Sequence, residues 1–370
     1  MEVFFFIGIV ICAFLALLIF NKKERSTSDT ILGIWQLVLV LHFGLLYIRH
    51  SGLIQEYPHF IGLDTPFVLV HLPFIFYYTK SIVGRSLYFS GYLKHLLPFV
   101  IMIVVLGITF YFNSGNEKLT LYNAQLDGQK LYSIADIVLL CQCLYYLPFS
   151  YVLVRSRTKT LKSSYSNIDK MNLAWLEMLL KGASIYFGMI FILYAVYLST
   201  SFNNFGLLSK INVLSFCIFQ LLLGYFGIRY TPIFSEIDLK GKVHQKYRKT
   251  GLDDADAESR FKELQTYMSV HKPYKDLELT LNALAQQLGL SPNHLSQIIN
   301  QFAKTNFYTY INTYRIEEVS KLLLDPSQNQ YSILGLAYEA GFKSKSVFNA
   351  LFKKVKKTTP SAYRKTYKKS

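Results

Sequence analysis

Leu284-Ala285-Gln286-Gln287-Leu288-Gly289-Leu290-Ser291-Pro292-Asn293-His294-Leu295 and, about fifty residues on, Leu336-Ala337-Tyr338-Glu339-Ala340-Gly341-Phe342-Lys343-Ser344-Lys345-Ser346-Val347-Phe348 are two copies of one short pattern. In each copy a glycine stands four residues after a small alanine, and an apolar residue and a serine follow it. A glycine at that place can take the left-handed backbone conformation that ends one helix and turns the chain sharply. Ser291 before Pro292, and Ser344 in the second copy, are N-cap signals that open the next helix. Ala285 and Ala337 leave room for the two helices of each copy to pack closely. The spacing therefore predicts helix, tight turn and helix, twice over. That is the helix-turn-helix unit, whose second helix enters the major groove of a duplex.

Along the second helix of the first copy, Leu295, Ile298, Ile299 and Phe302 recur at helical spacing and form the core face, which leaves Asn293, His294, Ser296, Gln297 and Asn300 outward. In the second copy Phe348, Leu351, Phe352 and Val355 form the stripe, with Ser344, Lys345, Ser346, Asn349, Lys353 and Lys354 on the other side. Amide and hydroxyl side chains suit base edges, and Asn or Gln can pair bidentately with adenine. Lysines suit phosphates.

The stretch resembles the DNA-binding domain of the AraC family of bacterial transcription regulators. The resemblance rests on Tyr310-Ile311-Asn312-Thr313-Tyr314-Arg315-Ile316, the Gly341-Phe342 pair, Phe348 with Phe352-Lys353-Lys354, and Thr359-Pro360-Ser361-Ala362-Tyr363-Arg364, and it covers the last quarter of the chain. It implies two recognition helices held apart by a linker helix, reading successive major-groove segments, with Asn293, His294, Ser296 and Gln297 as base readers in the first unit and Lys345, Ser346 and Asn349 in the second. The sequence departs from the family at Lys304 and Lys357, where glycine is usual. A left-handed lysine costs about 1 kcal/mol, so those helix ends are expected to differ from the family's.

Outside this stretch the chain is unusual for a soluble protein: 52% of its 370 residues are apolar, with 29 Phe and 28 Tyr. Its charge is uneven. Residues 231–370 hold 22 Lys and Arg against 13 Asp and Glu, a balance that fits nucleic acid better than a small-molecule site. Cys12, Cys141, Cys143 and Cys217 all lie in apolar runs and match neither a zinc pattern nor a disulfide framework, so all are expected to be buried, the close pair Cys141 and Cys143 on different helix faces.

Val3 to Phe20 is an apolar run with its positive charges, Lys22, Lys23 and Arg25, after it rather than before, so it reads as a retained membrane helix and not a signal peptide. Further spans run from Thr30 to Ile48, Ile61 to Tyr78, His95 to Phe112, Ser133 to Val154, Leu179 to Leu198 and Lys210 to Ile228, which makes seven. Pro66 and Pro73 interrupt the third and Pro148 the fifth. With seven spans one set of loops carries Lys22, Lys23, Arg25, Lys80, Arg85, Lys94, Arg155, Arg157, Lys159, Lys162 and Lys170, and the other only Arg49, Lys118, Lys130 and Lys210. The positive-inside rule then places the N-terminus outside and the C-terminus in the cytoplasm of a bacterial inner membrane.

His42, Asp64, His71 and Asp136 lie at membrane depth, where an ionisable group costs roughly 3 kcal/mol and usually faces the bundle interior. They are candidates for a signal cavity open to the outside; interhelical hydrogen bonds that hold the bundle are the alternative. An intramembrane metalloenzyme would need ligands a helical turn apart, and no His-x-x-x-His pair occurs in the spans. A transporter would show an internal repeat with paired broken helices, and none is evident.

The expected fold class is all-α: a seven-helix membrane bundle at 1–230, a cytoplasmic linker with an amphipathic helix at 231–273, and a DNA-binding domain with two helix-turn-helix units at 274–370. In the linker Phe261, Leu264, Tyr267 and Met268 form an apolar stripe that packs on the first subdomain or on a second subunit. The expected partners are promoter DNA, the bilayer, an unidentified membrane or extracytoplasmic ligand and a second copy of the chain. No cofactor, metal or enzymatic activity is expected. The rival role for the membrane part is a passive anchor.

Overall fold

The protein is helical in a computed structural model, which describes residues 2–84, 89–126, 134–169, 173–199, 205–230 and 254–367. The described residues form no strand, and Tyr165 and Thr280 make an isolated antiparallel bridge. The chain divides into two compact units, Met1–Arg155 with Leu173–Lys242, and Ser156–Asn172 with Val243–Ser370. The sequence drew its first boundary at 230 and kept 156–172 with the membrane part. Contacts instead group that loop with the C-terminal unit.

The first unit begins with α1 (Glu2–Phe20) and α2 (Thr27–His50). Ser26 starts α2 with a full capping box: its hydroxyl accepts from the Asp29 amide at 3.1 Å, and the Asp29 carboxylate accepts from the Ser26 amide at 3.0 Å. The third expected span is not one helix. A 3-10 turn at Thr65–Leu69 precedes α3 (His71–Ile82), and Pro66 and Pro73 each stand in a first turn, where the missing N–H has no helical acceptor to lose. The prolines start helices here rather than kink one.

The fourth expected span, His95 to Phe112, corresponds to α5 (Leu97–Leu106) and a π-helical turn at Gly107–Tyr111; α4 (Phe89–His95) precedes it, and α6 (Gly115–Leu126) follows at a bend of 103° after Tyr111. Helix α7 (Ile134–Ser164) holds Pro148 in its interior and runs ten residues beyond Val154, the expected end. Then come α8 (Ala174–Ser199) and α9 (Phe205–Tyr230). Among the described residues five helices are long and apolar enough to cross a membrane, or six if the bent pair is one span; Leu214–Phe226 is a shorter apolar helix. The expected seven are not reached by this measure. Trp35, Leu39, Phe43, Leu72, Leu176 and Phe219 are in the core, while Val3, Phe6, Val10, Phe14 and Leu17 on α1 and Ile185 and Ile192 on α8 point outward. Cys12, Cys143 and Cys217 are buried as expected, but Cys141 is exposed, because the two-residue offset on α7 turns it away from Cys143.

The second unit contains α10 (Asp254–His271), α11 (Leu281–Gln287), α12 (Pro292–Phe302), α13 (Phe307–Leu324), α14 (Ile333–Glu339), α15 (Lys345–Lys356) and α16 (Pro360–Tyr367). It has two apolar cores. Leu264, Met268, Leu284, Leu295, Ile299, Tyr310 and Ile311 make the first, and Ile316, Val319, Leu323, Leu336, Phe348 and Phe352 the second. Helix α13 supplies side chains to both, from its two halves. Helix α10 packs on the first core, with Phe261 stacked on Phe302 at 5.4 Å. The basic linker residues between 231 and 253 lie outside the described residues.

Candidate nucleic-acid interface

Each helix pair turns on its glycine. Gly289 has φ +65° and Gly341 φ +99°, both in the left-handed region. The helices that follow are capped as the serines required: Ser291 accepts from the His294 amide at 3.1 Å and Ser344 from the Val347 amide at 3.4 Å. Thr280 and Ser332 cap the preceding short helices in the same way. Ala285 and Ala337 are fully buried between their helices. The two glycines differ in surroundings. A Cβ on Gly289 would meet nothing within 4 Å, whereas one on Gly341 would lie 2.4 Å from the Tyr274 carbonyl oxygen and 2.9 Å from Arg315 Nε.

On α12, Leu295, Ile298 and Ile299 are buried, Asn293 and Asn300 are exposed, and His294, Ser296 and Gln297 are half-buried. Asn300 Nδ2 donates to Ser296 Oγ at 3.3 Å. On α15, Phe348 and Phe352 are buried, Lys345, Ser346, Asn349, Lys353 and Lys354 are exposed, and Ser344 is half-buried, its hydroxyl 2.8 Å from that of Ser346. Val355, expected in the apolar stripe, is exposed instead: it falls past the end of the second core. Lys356 on the same helix pairs with Glu317 at 2.7 Å. The outward faces thus differ in chemistry: amides and a hydroxyl on α12, lysines around an amide on α15.

The helix ends at Lys304 and Lys357 do not differ from those a glycine would make. Lys304 has φ +51° and Lys357 φ +59°, so the left-handed turn is kept and its strain is borne by lysine.

Behind these faces lies a polar hub on α13 that sequence reasoning missed as a site. Arg315, 1% exposed, donates from Nε to the Tyr274 carbonyl at 2.7 Å and from Nη2 to the Asp276 carbonyl at 2.8 Å. It also donates to Ser166, from Nη1 to the carbonyl at 3.2 Å and from Nη2 to the hydroxyl at 3.1 Å, and from Nη1 to Asn312 Oδ1 at 3.3 Å. Burial pulls the Arg315 guanidinium down to about 10, with Asp276, Tyr308 and Asp169 acting the other way, so it stays charged at neutral pH. Glu318 accepts from Lys272 at 3.0 Å and from the Tyr274 hydroxyl at 3.2 Å, and pairs with Lys275 at 3.2 Å. Burial alone would raise its carboxyl; the two lysines outweigh that and hold it below its ordinary value. No periodicity marks these contacts, because backbone carbonyls from distant segments satisfy Arg315, and a residue of any type supplies one.

In the first unit His42 and His71 are buried and joined, Nδ1 to Nε2, at 2.9 Å, and Trp35 Nε1 donates to His71 Nδ1 at 3.2 Å. Asp64 is buried too but pairs with Arg49 at 2.7 Å, and Asp136 is half-buried near the start of α7. The structure therefore brings two of the four candidates together. Among the described residues no three His, Cys, Asp or Glu side chains gather at one point.

Residues 284–366 match the family described as helix-turn-helix domain. Over 90 residues the chain is 36% identical to the melibiose operon regulatory protein of Escherichia coli (strain K12), a match covering 24% of this chain and 29% of that protein. It is 32% identical over 89 residues to the uncharacterized HTH-type transcriptional regulator YijO of the same organism, covering 24% and 30%. An uncharacterized HTH-type transcriptional regulator of Staphylococcus aureus (strain COL) is 32% identical over 87 residues, covering 24% and 11%. The chain thus spans less than a third of these relatives. Its C-terminal part is an AraC-type helix-turn-helix domain, and by name these relatives are regulators, not enzymes.

Proposed function

We propose that this chain is a membrane-embedded, one-component transcription regulator that binds promoter DNA through two helix-turn-helix units, α11–α12 and α14–α15, in response to a signal met at the membrane or outside it. The observation that carries the DNA-binding role is the pairing of an outward amide face on α12 with an outward lysine face on α15, each behind a glycine-turned, serine-capped helix in the matched region. Asn293, His294, Ser296 and Gln297 on the first unit and Lys345, Ser346 and Asn349 on the second are then the base-reading set, and Asn300, Ser344, Lys353 and Lys354 complete the DNA-contacting face, the lysines on phosphates.

Five long apolar helices with outward Val, Phe, Leu and Ile side chains support membrane embedding, since such surface is stable in hydrocarbon and costly in water. Arg155, Arg157, Lys159 and Lys162 on the last turns of α7 support the cytoplasmic side for the C-terminus. In this reading residues 156–172, which group with the C-terminal unit, share its side of the membrane, and α8 and α9 are an out-and-back pair. The buried polar group of His42, His71 and Trp35 is the place in this reading where a signal would alter helix packing, with Asp64 and Asp136 as further polar positions.

The test is genome-wide mapping of sites occupied by the full chain, with a compartment reporter fused at Ser370. Discrete promoter occupancy and a cytoplasmic reporter are expected. No enrichment at any promoter, or an external reporter, would end the reading. Replacing residues 1–230 with an unrelated membrane anchor then separates sensor from tether: regulation unchanged by the swap leaves only the tether.

A further inference from the structure

Residues 156–172 are sequence-distant from the DNA-binding helices yet belong to their unit. The last turns of α7 place Leu161 in a buried position, and beyond them Ser166 and Ile168 are buried as well. Tyr165 bridges Thr280, the residue that caps α11. Ser166 donates to the Leu279 carbonyl twice, from its amide at 3.2 Å and its hydroxyl at 2.7 Å. Its own carbonyl accepts from Asn312 Nδ2 at 2.9 Å and from Arg315 Nη1 at 3.2 Å. The Lys162 ammonium lies over the Tyr308 ring, 5.8 Å from its centre.

The seat is at the one place on α13 where the two cores meet. Tyr310, Ile311 and Tyr314 serve the first core, Ile316 and Val319 the second, and Asn312 and Arg315 lie between. Arg315 also backs Gly341, the turn of the second helix pair. A loop bound there touches the cap of α11 on one side and the support of the α14–α15 turn on the other. It leaves the outward residues of α12 and α15 uncovered: Asn293, Asn300, Lys345 and Asn349 are all exposed with the loop in place. Steric occlusion of DNA is therefore not its effect. The seat instead touches the supports of both helix pairs, whose relative angle decides whether they can meet successive groove segments together.

We propose that the loop between α7 and α8 is an intramolecular coupling element, seated through Tyr165 and Ser166 on residues 279–280 and on Asn312 and Arg315, and that the seated state holds the two helix pairs in their DNA-competent arrangement. Movement of α7 or α8 would then reach the DNA-binding helices through this seat as well as through the segment before α10, since α7 runs without a break from the first unit into the second. This rests on the DNA-binding reading.

The test uses the full chain in lipid nanodiscs and a promoter fragment found occupied in cells. Ser166→Leu puts a side chain too large for the buried seat onto the loop, away from the reading faces; Ser166→Ala removes only the hydroxyl's bonds and guards against misfolding of the first variant. Expected are an affinity loss of about fivefold or more for Ser166→Leu, a smaller loss for Ser166→Ala, and faster amide exchange at 276–280 and 308–316 in both. The pair Tyr165→Cys with Thr280→Cys, in a Cys141→Ser background, is expected to oxidise readily and keep wild-type affinity when closed. Wild-type affinity in both Ser166 variants, or failure of the cysteine pair to close, overturns the coupling. If the wild-type chain retains no duplex at all, the DNA-binding reading has failed instead, and unchanged exchange in the Ser166 variants then overturns the seat on its own.

Discussion

Helices α12 and α15 occupy equivalent places in the two helix pairs, and their outward surfaces have little in common. Helix α12 has no Lys, Arg, Asp or Glu and presents Asn293, Gln297 and Asn300, while α15 presents Lys345, Lys353 and Lys354 around Asn349. Amides discriminate between base edges but contribute little to non-specific attraction; ammonium groups do the reverse. The pairs differ inside as well. The first turn is open around Gly289, and the second is pressed onto Tyr274 and Arg315 at Gly341. Under the proposed DNA-binding function this contrast predicts a division of labour, with the first pair contributing more of the sequence selection and the second more of the backbone grip, while Gly341 ties the second pair to the hub on α13.

The largest effect should come from the turns. Gly341→Ala must resolve a Cβ placed 2.4 Å from a backbone oxygen at a φ of +99°, and should destabilise the second unit by about 3 kcal/mol or more. Gly289→Ala faces only the left-handed backbone and should cost about 1 kcal/mol. Chemical denaturation of the two variants reads the difference directly. Equal losses would mean that the hub does not lock the second pair.

That asymmetry marks how far the sequence could be read. Both glycines, the serine caps, the buried alanines and most of the core stripe were legible, because each is a local demand of backbone geometry or helical period. The neighbours of Gly341 were not, since Tyr274 and Arg315 reach it from 67 and 26 positions away. The seat of Ser166 was hidden for the same reason, being built from carbonyls. In the first unit, hydropathy located the apolar stretches but missed that Pro66 and Pro73 begin helices and that the chain bends sharply after Tyr111, because composition carries no direction. The four polar residues expected at membrane depth were found by type alone, and the partners of His71 and Asp64, Trp35 and Arg49, only by packing.

Within the reading faces, Gln297→Ala should cost about 1–3 kcal/mol on the best DNA site and relax preference at one base position, if α12 carries the selection. Binding of the full chain to a set of single-base variants measures this, and a loss equal on every sequence would place Gln297 on the backbone instead. Lys354→Ala is the matching test of α15. It should weaken all sequences alike, with the log-log salt slope less steep by about 0.9, the value for one phosphate released. A sequence-dependent loss at Lys354 would erase the division between the pairs.

The smallest expected effect concerns what the two pairs share. Each second helix ends on a left-handed lysine, Lys304 after α12 and Lys357 after α15, both exposed. A lysine there is strained by about 1 kcal/mol relative to glycine, but glycine also frees the unfolded chain, which returns part of the gain. Lys304→Gly and Lys357→Gly should therefore each raise stability by about 0.5 kcal/mol, a small upward shift in thermal midpoint. Their DNA affinities should part company if the lysine-rich end of α15 is the backbone grip: Lys357→Gly removes a charge from that cluster and should lower affinity and salt slope slightly, while Lys304→Gly, at the end of the uncharged helix, should leave both where they were. A loss of affinity at Lys304 as large as at Lys357 would show that the first pair grips phosphate too, and the contrast between the pairs would then lie in base reading alone.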